Sequence, residues 1–294
     1  PIGIHDSFFE LGGHSLSATQ VISRVHDAFG VNVAFHAFFA APTIAALAEQ
    51  ISHTGAPTAA ATSPQPIPRL TRRPDGALTA VTSFAQRRLW FLEQLTPGKP
   101  TFNLPLVLTL TGRLHLPALR HSLNQLIARH ETLRTTFTSD DGLPLQVIHP
   151  ATELPLDVID LSDVPTATRE TEADNRLYAA AYAPFDLEQG PLLRATLFRL
   201  APDRHWLLLS MHHIVTDGWS VGLMQSELTA LYRAAVAGQP SPLTPLTVQY
   251  ADYAAWQHDW LQTETAVAQL NYWQKKLDGM PPALELPTDR PRPA

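Results

Sequence analysis

The sequence contains no cysteine. This absence excludes disulfide bonds, thiolate metal sites, iron–sulfur clusters and a cysteine nucleophile, and it is compatible with a reducing compartment. No apolar run reaches the ~18 residues typical of a membrane-spanning helix, and no charged segment followed by an apolar one opens the chain. We therefore expect a cytoplasmic protein without membrane contact.

Charge is also scarce. Asp, Glu, Lys and Arg make up 16% of the residues, whereas about 25% is average. The 21 Lys and Arg against 27 Asp and Glu give a net charge of −6 at pH 7, and no basic block is present. Binding to a nucleic acid phosphate backbone requires such a block, so we do not expect a nucleic acid partner.

The 294 residues and 26 prolines indicate more than one domain. Residues 54–76 are rich in Pro and Ala and predict a linker. Residues 1–53 predict a partial all-α bundle, and residues 77–294 predict an α/β (α+β) domain. Because the chain begins without Met and ends in a proline-rich run, we expect a fragment of a longer polypeptide, with a further helix upstream.

Hydrophobic periodicity predicts the elements within these domains. Apolar residues three or four apart predict helices over residues 15–29 and 42–51 in the first domain, with Gly30 ending the first helix. In the second domain, Ser83 and Gln86 form a predicted capping box at a helix start. The apolar run of residues 206–211 predicts a central strand. Further helices are expected over residues 117–130, 165–183, 221–237, 250–261 and 266–277, and further strands over residues 106–110, 133–137, 143–148 and 192–200.

Ser15 follows two glycines and stands at the start of the first predicted helix. A serine at this place is most often only an N-cap. A serine hydrolase elbow would need glycine at position 17, where Ser17 stands, and an apolar strand before it. A covalently attached phosphodiester would instead face the free amides and the positive end of the helix dipole. Capping and covalent modification both remain open for Ser15.

Residues 6–16 read DSFFELGGHSL and residues 42–48 read PTIAALA. Both segments resemble the peptidyl carrier domains of nonribosomal peptide synthetases. The resemblance implies that Ser15 carries covalent 4′-phosphopantetheine, attached by a phosphopantetheinyl transferase. A flexible thioester arm of this kind makes the encounter of two reactants intramolecular.

Residues 212–220 read HHIVTDGWS and follow the central strand. Polar residues at a strand end often form only a hydrogen-bonded turn. Because neighbouring strand residues point to opposite faces, His212 and His213 are poorly placed to share a metal ion, and we predict no metal site. One imidazole facing a cleft would suit proton transfer near neutral pH. We expect His213 to face the cleft and His212 to point inward.

Four segments in order resemble the motifs of condensation domains, whose fold is similar to that of chloramphenicol acetyltransferase. They are residues 83–92, SFAQRRLWFL; 129–137, RHETLRTTF; 212–218, HHIVTDG; and 250–256, YADYAAW. The resemblance implies a nonribosomal peptide synthetase fragment with a partial carrier followed by the first lobe of a condensation domain. It implies amide formation between a donor thioester and an amine on a downstream carrier, as in the synthesis of secondary metabolites, including antibiotics.

The resemblance also implies roles for the site residues. His213 would be the general base or a group that positions the amine, and His212 would support it. Asp217 would be structural, and we expect it to pair with Arg134, so that replacing Asp217 by Asn would impair folding as well as rate. Gly218 would allow close backbone approach and offer an amide near the oxyanion.

The intact histidine pair argues against the cyclisation subtype, and the opening motif favours a condensation domain that accepts an L-configured donor over an epimerisation domain. Because the carrier precedes this domain, Ser15 would deliver the donor. The adenylation domain upstream and the acceptor carrier downstream would be partners on other parts of the synthetase. A non-catalytic module that docks carriers, an epimerisation-type member and a soluble acyl-CoA acyltransferase remain the alternatives.

Overall fold

The computed structural model describes residues 2–31, 33–53, 66–281 and 289–290. The chain divides into two compact units, Pro1–Pro66 and Ile67–Ala294, and each is described by itself. In the part of the chain that is described, every helix is too short or not apolar enough to cross a bilayer.

The first unit is helical, as predicted. It contains α1 (Ser15–Phe29), α2 (Phe35–Ala40) and α3 (Ile44–His53). Helix α1 ends at Gly30, which has φ 66° and donates its N–H to the carbonyl of His26. Helix α2 was not predicted, because a six-residue helix is too short to show a period. The buried core consists of Ala18, Val25, Val31, Val33 and Phe38.

The second unit combines helices with two sheets, as predicted for a mixed fold. The three-stranded sheet has the order β1-β4-β3, and the four-stranded sheet has the order β2-β7-β6-β5. All neighbouring strands are antiparallel except β5 and β6. Strand β7 lies between β2 and β6 and is therefore internal, as its apolar sequence predicted. The strands are β1 (Leu78–Val81), β2 (Asn103–Thr111), β3 (Thr135–Asp140), β4 (Leu143–Ile148), β5 (Leu156–Asp160), β6 (Leu193–Ala201) and β7 (Arg204–His212).

Helices cover both faces of the four-stranded sheet. Leu207, Leu209 and Met211 of β7 point into a core shared with α5 and α7, whereas Leu208 points into a second core with α6. This alternation follows from the two-residue period of a strand. The helices are α4 (Phe84–Leu95), α5 (Leu116–Arg129), α6 (Thr166–Ala181), α7 (Gly218–Val236), α8 (Tyr250–Trp260) and α9 (Glu264–Leu277), with short 3₁₀ helices at Pro100–Phe102 and Glu131–Arg134.

The end of the predicted linker is part of the second unit. Residues 54–65 lie outside the described residues, whereas residues 67–76 are grouped with the second unit. Arg72 contacts Glu131 through Nε (3.0 Å) and Nη2 (2.8 Å) and Asp252 through Nη1 (2.7 Å). Its hydrogen bonds to Glu131 raise the pKa of Arg72, so the guanidinium stays charged. We call these ion pairs of Arg72 with Glu131 and Asp252 the anchor. The Pro-rich composition of the segment did not predict it.

Asp217 caps helix α7 instead of pairing with Arg134. Its Oδ1 accepts hydrogen bonds from the backbone N–H and the hydroxyl of Ser220, both at 2.8 Å. Arg134 instead donates to the carbonyl of His149 and lies 3.8 Å from Glu131. The predicted Asp217–Arg134 pair is therefore wrong. An aspartate three residues before a helical N–H is a standard N-cap, and this local bond satisfies the carboxylate.

Replacing Arg72 by Met should destabilise the second unit. The substitution leaves the buried carboxylate of Asp252 without a cation and that of Glu131 with only Arg134, 3.8 Å away, which costs about 3–5 kcal/mol. Urea unfolding at pH 7 followed by tryptophan fluorescence measures this loss, because all six tryptophans lie in the second unit. Arg73→Met, at an exposed position, is the matched control.

The difference between wild type and Arg72→Met should shrink in acid. Burial raises the pKa of Asp252. Hydrogen bonds from Arg72 and from the backbone amides of Gln249 and Leu70 lower it by a larger amount, so the net shift is downward. A carboxyl with a lowered folded pKa contributes stability above its unfolded pKa and loses that stability as the pH falls through the folded value. Equal stability of the two variants at pH 7 would contradict the anchor.

Substitutions of Asp217 should separate capping from charge. Asp217→Ala removes the acceptor for the Ser220 N–H and should lower the free energy of unfolding by about 1 kcal/mol. Asp217→Asn keeps an oxygen acceptor and should stay within a few tenths of wild type, contrary to the loss of folding expected from an Arg134 pair. Fluorescence-detected unfolding of both variants measures this, and an Asn variant as unstable as the Ala variant would refute the capping role.

Candidate active site

The turn before α1 leaves the Ser15 hydroxyl free. Gly12 has φ +92°, and a Cβ at Gly13 would lie 2.3 Å from the ring of Phe8, so both positions require glycine. The N-cap is His14, whose Nδ1 accepts from the N–H of Ser17 at 3.4 Å. Ser15 is the first helical residue and is exposed, and its hydroxyl makes no hydrogen bond within the described residues. The capping interpretation of Ser15 is therefore wrong.

The two adjacent histidines at the end of β7 have different environments. His212 is 2% exposed and lies between the rings of Phe102 and Phe185, with centroids 6.0 and 6.1 Å away. His213 is exposed, and its backbone N–H donates to the carbonyl of Phe102 at 2.8 Å. The strand period turns His212 into the protein, while His213 reaches the surface of a cavity.

His212 is a fixed, neutral support. Its Nδ1 accepts the backbone N–H of Ile214 at 3.1 Å, which assigns the ring proton to Nε2. Burial, and secondarily the neighbouring His213, lower the pKa of His212 to about 4. The ring is therefore uncharged at neutral pH, and its hydrogen bond holds the chain where it turns away from β7.

A cavity of about 390 Å³ lies in front of His213. Its walls come from the four motif segments identified in the sequence and from the loop before α8, all in the second unit. The lining residues are Ala85, Gln86, Leu89, His130, Thr132, His213, Ile214, Val215, Thr216, Asp217, Ser220, Leu246, Val248, Gln249 and Tyr250. Segments far apart in sequence thus form one concave surface around one exposed imidazole.

Hydrogen bonds between segments hold two walls of the cavity together. Gln86 donates through Nε2 to Gln146 at 3.1 Å and to the carbonyl of Ile214 at 3.5 Å. The Tyr250 hydroxyl and Ser83 Oγ lie 2.9 Å apart, and burial raises the pKa of Tyr250. Tyr250 is therefore a neutral hydrogen-bonding group at neutral pH. These contacts join α4 to β4, to the loop after β7 and to α8.

A third wall carries His130, which contacts the buried carboxylate of Glu227. His130 Nε2 lies 2.6 Å from Glu227 Oε2, and Arg129 Nε donates to Glu227 Oε1 at 3.0 Å. Sequence reasoning quoted His130 within a motif but assigned it no role, and it missed Glu227. The signal for Glu227 is a charged residue on the buried face of α7, four residues before the buried Leu231.

The predicted site residues are only partly brought together. His213 and Asp217 line the cavity, and His212 lies behind it. Gly218 begins α7, and a Cβ there would meet nothing within 4 Å, so the protein itself imposes no close approach at this position. Ser15 lies in the other unit. Among the described residues, no group of three or more His, Asp or Glu side chains could hold a metal ion.

Comparison with known families gives two matches on this chain. The family described as "Condensation domain" matches residues 78–294, and the family described as "Phosphopantetheine attachment site" matches residues 1–51. One polypeptide of the linear gramicidin synthase of Brevibacillus parabrevis is 50% identical over 298 residues, a match that covers 100% of this chain and 4% of that protein. Phosphinothricin tripeptide synthetase PhsC from Streptomyces viridochromogenes is 44% identical over 80% of this chain and 22% of its own length. The chain thus spans a small part of the length of these relatives.

Solved structures show the same fold. The X-domain from teicoplanin biosynthesis has a TM-score of 0.65 and 31% identity over 78% of this chain and 49% of its own. The first condensation domain of the calcium-dependent antibiotic synthetase has a TM-score of 0.61 and 27% identity over 69% of this chain and 48% of its own. The match thus covers about half of each solved domain. The chain belongs to the condensation domain family and carries a phosphopantetheine attachment domain ahead of it.

Proposed function

We propose that this chain joins two carrier-bound substrates through an amide bond. Ser15 presents the donor as a thioester, and the second unit catalyses attack on it by an amine held on a downstream carrier. The observation that carries this proposal is the exposed imidazole of His213 in a cavity lined by four motif segments. The buried, neutral His212 behind it supports a fixed orientation.

The residues around Ser15 fit a covalently attached 4′-phosphopantetheine. The hydroxyl is exposed at the first turn of α1, where helix amides without intrahelical partners favour an attached phosphate. Gly12 and Gly13 let the chain turn sharply just before it. When bound, the group supplies a terminal thiol that carries an acyl chain as a thioester. The protein contributes an accessible attachment point.

His213 acts on the amine as a general base or as a group that positions it. The amine nitrogen attacks the thioester carbonyl, the carbon–sulfur bond breaks, and the amine proton ends on the released thiol. An imidazole can accept and return such a proton near neutral pH, and a general base of this kind contributes typically about 10²–10⁴-fold in rate. A carrier-held pair of reactants also gains from its high effective concentration.

The partners follow from this reaction. An adenylation domain upstream loads the donor, a second carrier downstream holds the acceptor, and a phosphopantetheinyl transferase modifies Ser15. The competing function is a module that docks carriers without turnover. That function would need the surface of the cavity but not an imidazole at position 213, so the two functions differ in their dependence on His213.

Ser15→Ala should abolish attachment of the arm. Incubation of the synthetase with a phosphopantetheinyl transferase and coenzyme A should raise the intact mass of the wild type by one phosphopantetheinyl group at this domain. Ser17→Ala, two residues further along the same helix, should still be modified. Modification of the Ser15→Ala variant at this domain, or none in wild type, would refute the assignment.

His213→Ala should lower amide formation by about 10²–10⁴-fold without unfolding the protein, because the imidazole is exposed and its loss creates no cavity in the core. Both carriers of the intact module are loaded, and product is measured by mass spectrometry after single turnover. His121→Ala, at an exposed position on α5, is the control. His213→Gln distinguishes the two roles, because an amide can position the amine but cannot take its proton. Unchanged product from His213→Ala would favour the docking module.

A further inference from the structure

Helix α4 turns two polar side chains toward the histidine loop. Gln86 and Glu93 are seven residues apart, which is two helical turns, so they lie on the same face. Both are buried, and between them Leu89 and Trp90 pack against the cluster that contains Ile214 and Val215. A buried carboxyl is costly and needs a compensating partner.

The compensating partner is His212, through Nε2, the ring nitrogen that does not contact Ile214. Glu93 Oε2 lies 3.6 Å from His212 Nε2, and both atoms are fully shielded from solvent and have no hydrogen-bond partner among the described residues. The other ring nitrogen, Nδ1, accepts the N–H of Ile214, so Nε2 carries the proton and faces the carboxyl. A shift of a few tenths of an ångström closes a hydrogen bond from Nε2 to Oε2.

Glu93 and Gln86 therefore both interact with Ile214, Gln86 directly and Glu93 through the ring of His212. Gln86 approaches the Ile214 carbonyl, whereas Glu93 reaches the Ile214 N–H through the ring of His212. The peptide linking His213 to Ile214 includes that N–H, so its orientation depends on how the His212 ring is held. A rotation of this peptide would move His213 within the cavity.

We propose that Glu93 is a positioning residue for amide formation. By accepting a hydrogen bond from the Nε2–H of His212, it fixes the ring that holds the His213–Ile214 peptide and so directs His213 into the cavity. This inference rests on the proposed function of His213. The atoms involved belong to α4, one residue beyond the motif of residues 83–92, and to the end of β7, and the contact joins these elements behind the cavity wall.

An ion pair is the alternative explanation of the same contact. Burial raises the pKa of Glu93, and burial together with His213 lowers that of His212. Both shifts disfavour a charged pair, whereas a hydrogen bond from a neutral imidazole needs no positive charge on the ring. The rings of Phe102 and Phe185 beside His212 offer no other acceptor for the Nε2 proton.

Variants at position 93 separate positioning from packing. Glu93→Gln keeps an oxygen acceptor for Nε2–H, whereas Glu93→Leu has similar volume and no acceptor. Gln94→Leu, at an exposed position on the same helix, is the matched control. In the intact module, we expect kcat for amide formation to fall by up to about 100-fold in Glu93→Leu with KM for the acceptor unchanged, and to stay near wild type in Glu93→Gln and Gln94→Leu.

A double variant tests whether Glu93 acts on kcat through His212. In His212→Asn, the side-chain oxygen can replace Nδ1 toward the Ile214 N–H, but the shorter amide places no donor at the position of Nε2. Adding Glu93→Leu to His212→Asn should therefore change kcat by less than about twofold, because residues that act through one contact are not additive. A full additional loss in the double variant would show that Glu93 acts elsewhere and would overturn the proposal.

A spectroscopic measurement on this 294-residue chain makes the result independent of turnover. Nitrogen-15 NMR of labelled histidine should show His212 protonated at Nε2 in wild type and Glu93→Gln, and amide exchange at Ile214 should accelerate at least about tenfold in Glu93→Leu. Unchanged Ile214 exchange in a folded Glu93→Leu variant would overturn the proposal, as would unchanged kcat. A wild-type module without turnover would instead refute the proposed function, and the NMR result would then decide the Glu93–His212 contact alone.

Discussion

The site depends on the burial of β7 at the centre of the four-stranded sheet. Because both faces of this strand are covered, its side chains must alternate between two cores, and a one-residue slip in register would exchange them. His212 is the last residue of β7, so its position inside the protein is set by Leu208 and Met211 rather than by its own polarity. His213 is the first residue free to leave the sheet, and it reaches the cavity.

A buried histidine is useful at this strand end because it is difficult to charge. Burial holds the pKa of His212 at about 4, so the ring stays a single neutral tautomer throughout the neutral range. A neutral ring both accepts from the Ile214 N–H and donates from Nε2, whereas a protonated ring could no longer accept. The support of His213 by the His212 ring is therefore insensitive to pH throughout the neutral range.

The sequence revealed periodic and local features, but not contacts between distant charged residues. A continuous apolar run predicted β7, helical spacing predicted α1, and residue type predicted the Ser83–Gln86 cap, because each depends on neighbours in the chain. Arg72 was assigned to a linker, and Arg134 was expected to pair with Asp217. Both contacts were missed because residue type alone does not indicate which oppositely charged residue a side chain contacts. Strand β5 was missed because its exposed edge position leaves it without a continuous apolar run.

The proposed function divides the chemistry between the two units for a physical reason. In this proposal the attachment point must be accessible to a modifying enzyme and to several partners, and Ser15 is exposed on a small unit, after a glycine turn. The reaction instead requires side chains held in fixed positions, which needs the large core of the second unit and its buried anchors. An exposed attachment point on a small unit and a fixed set of side chains on a large core are separate requirements, so the proposed function assigns covalent carriage to one unit and acid–base chemistry to the other.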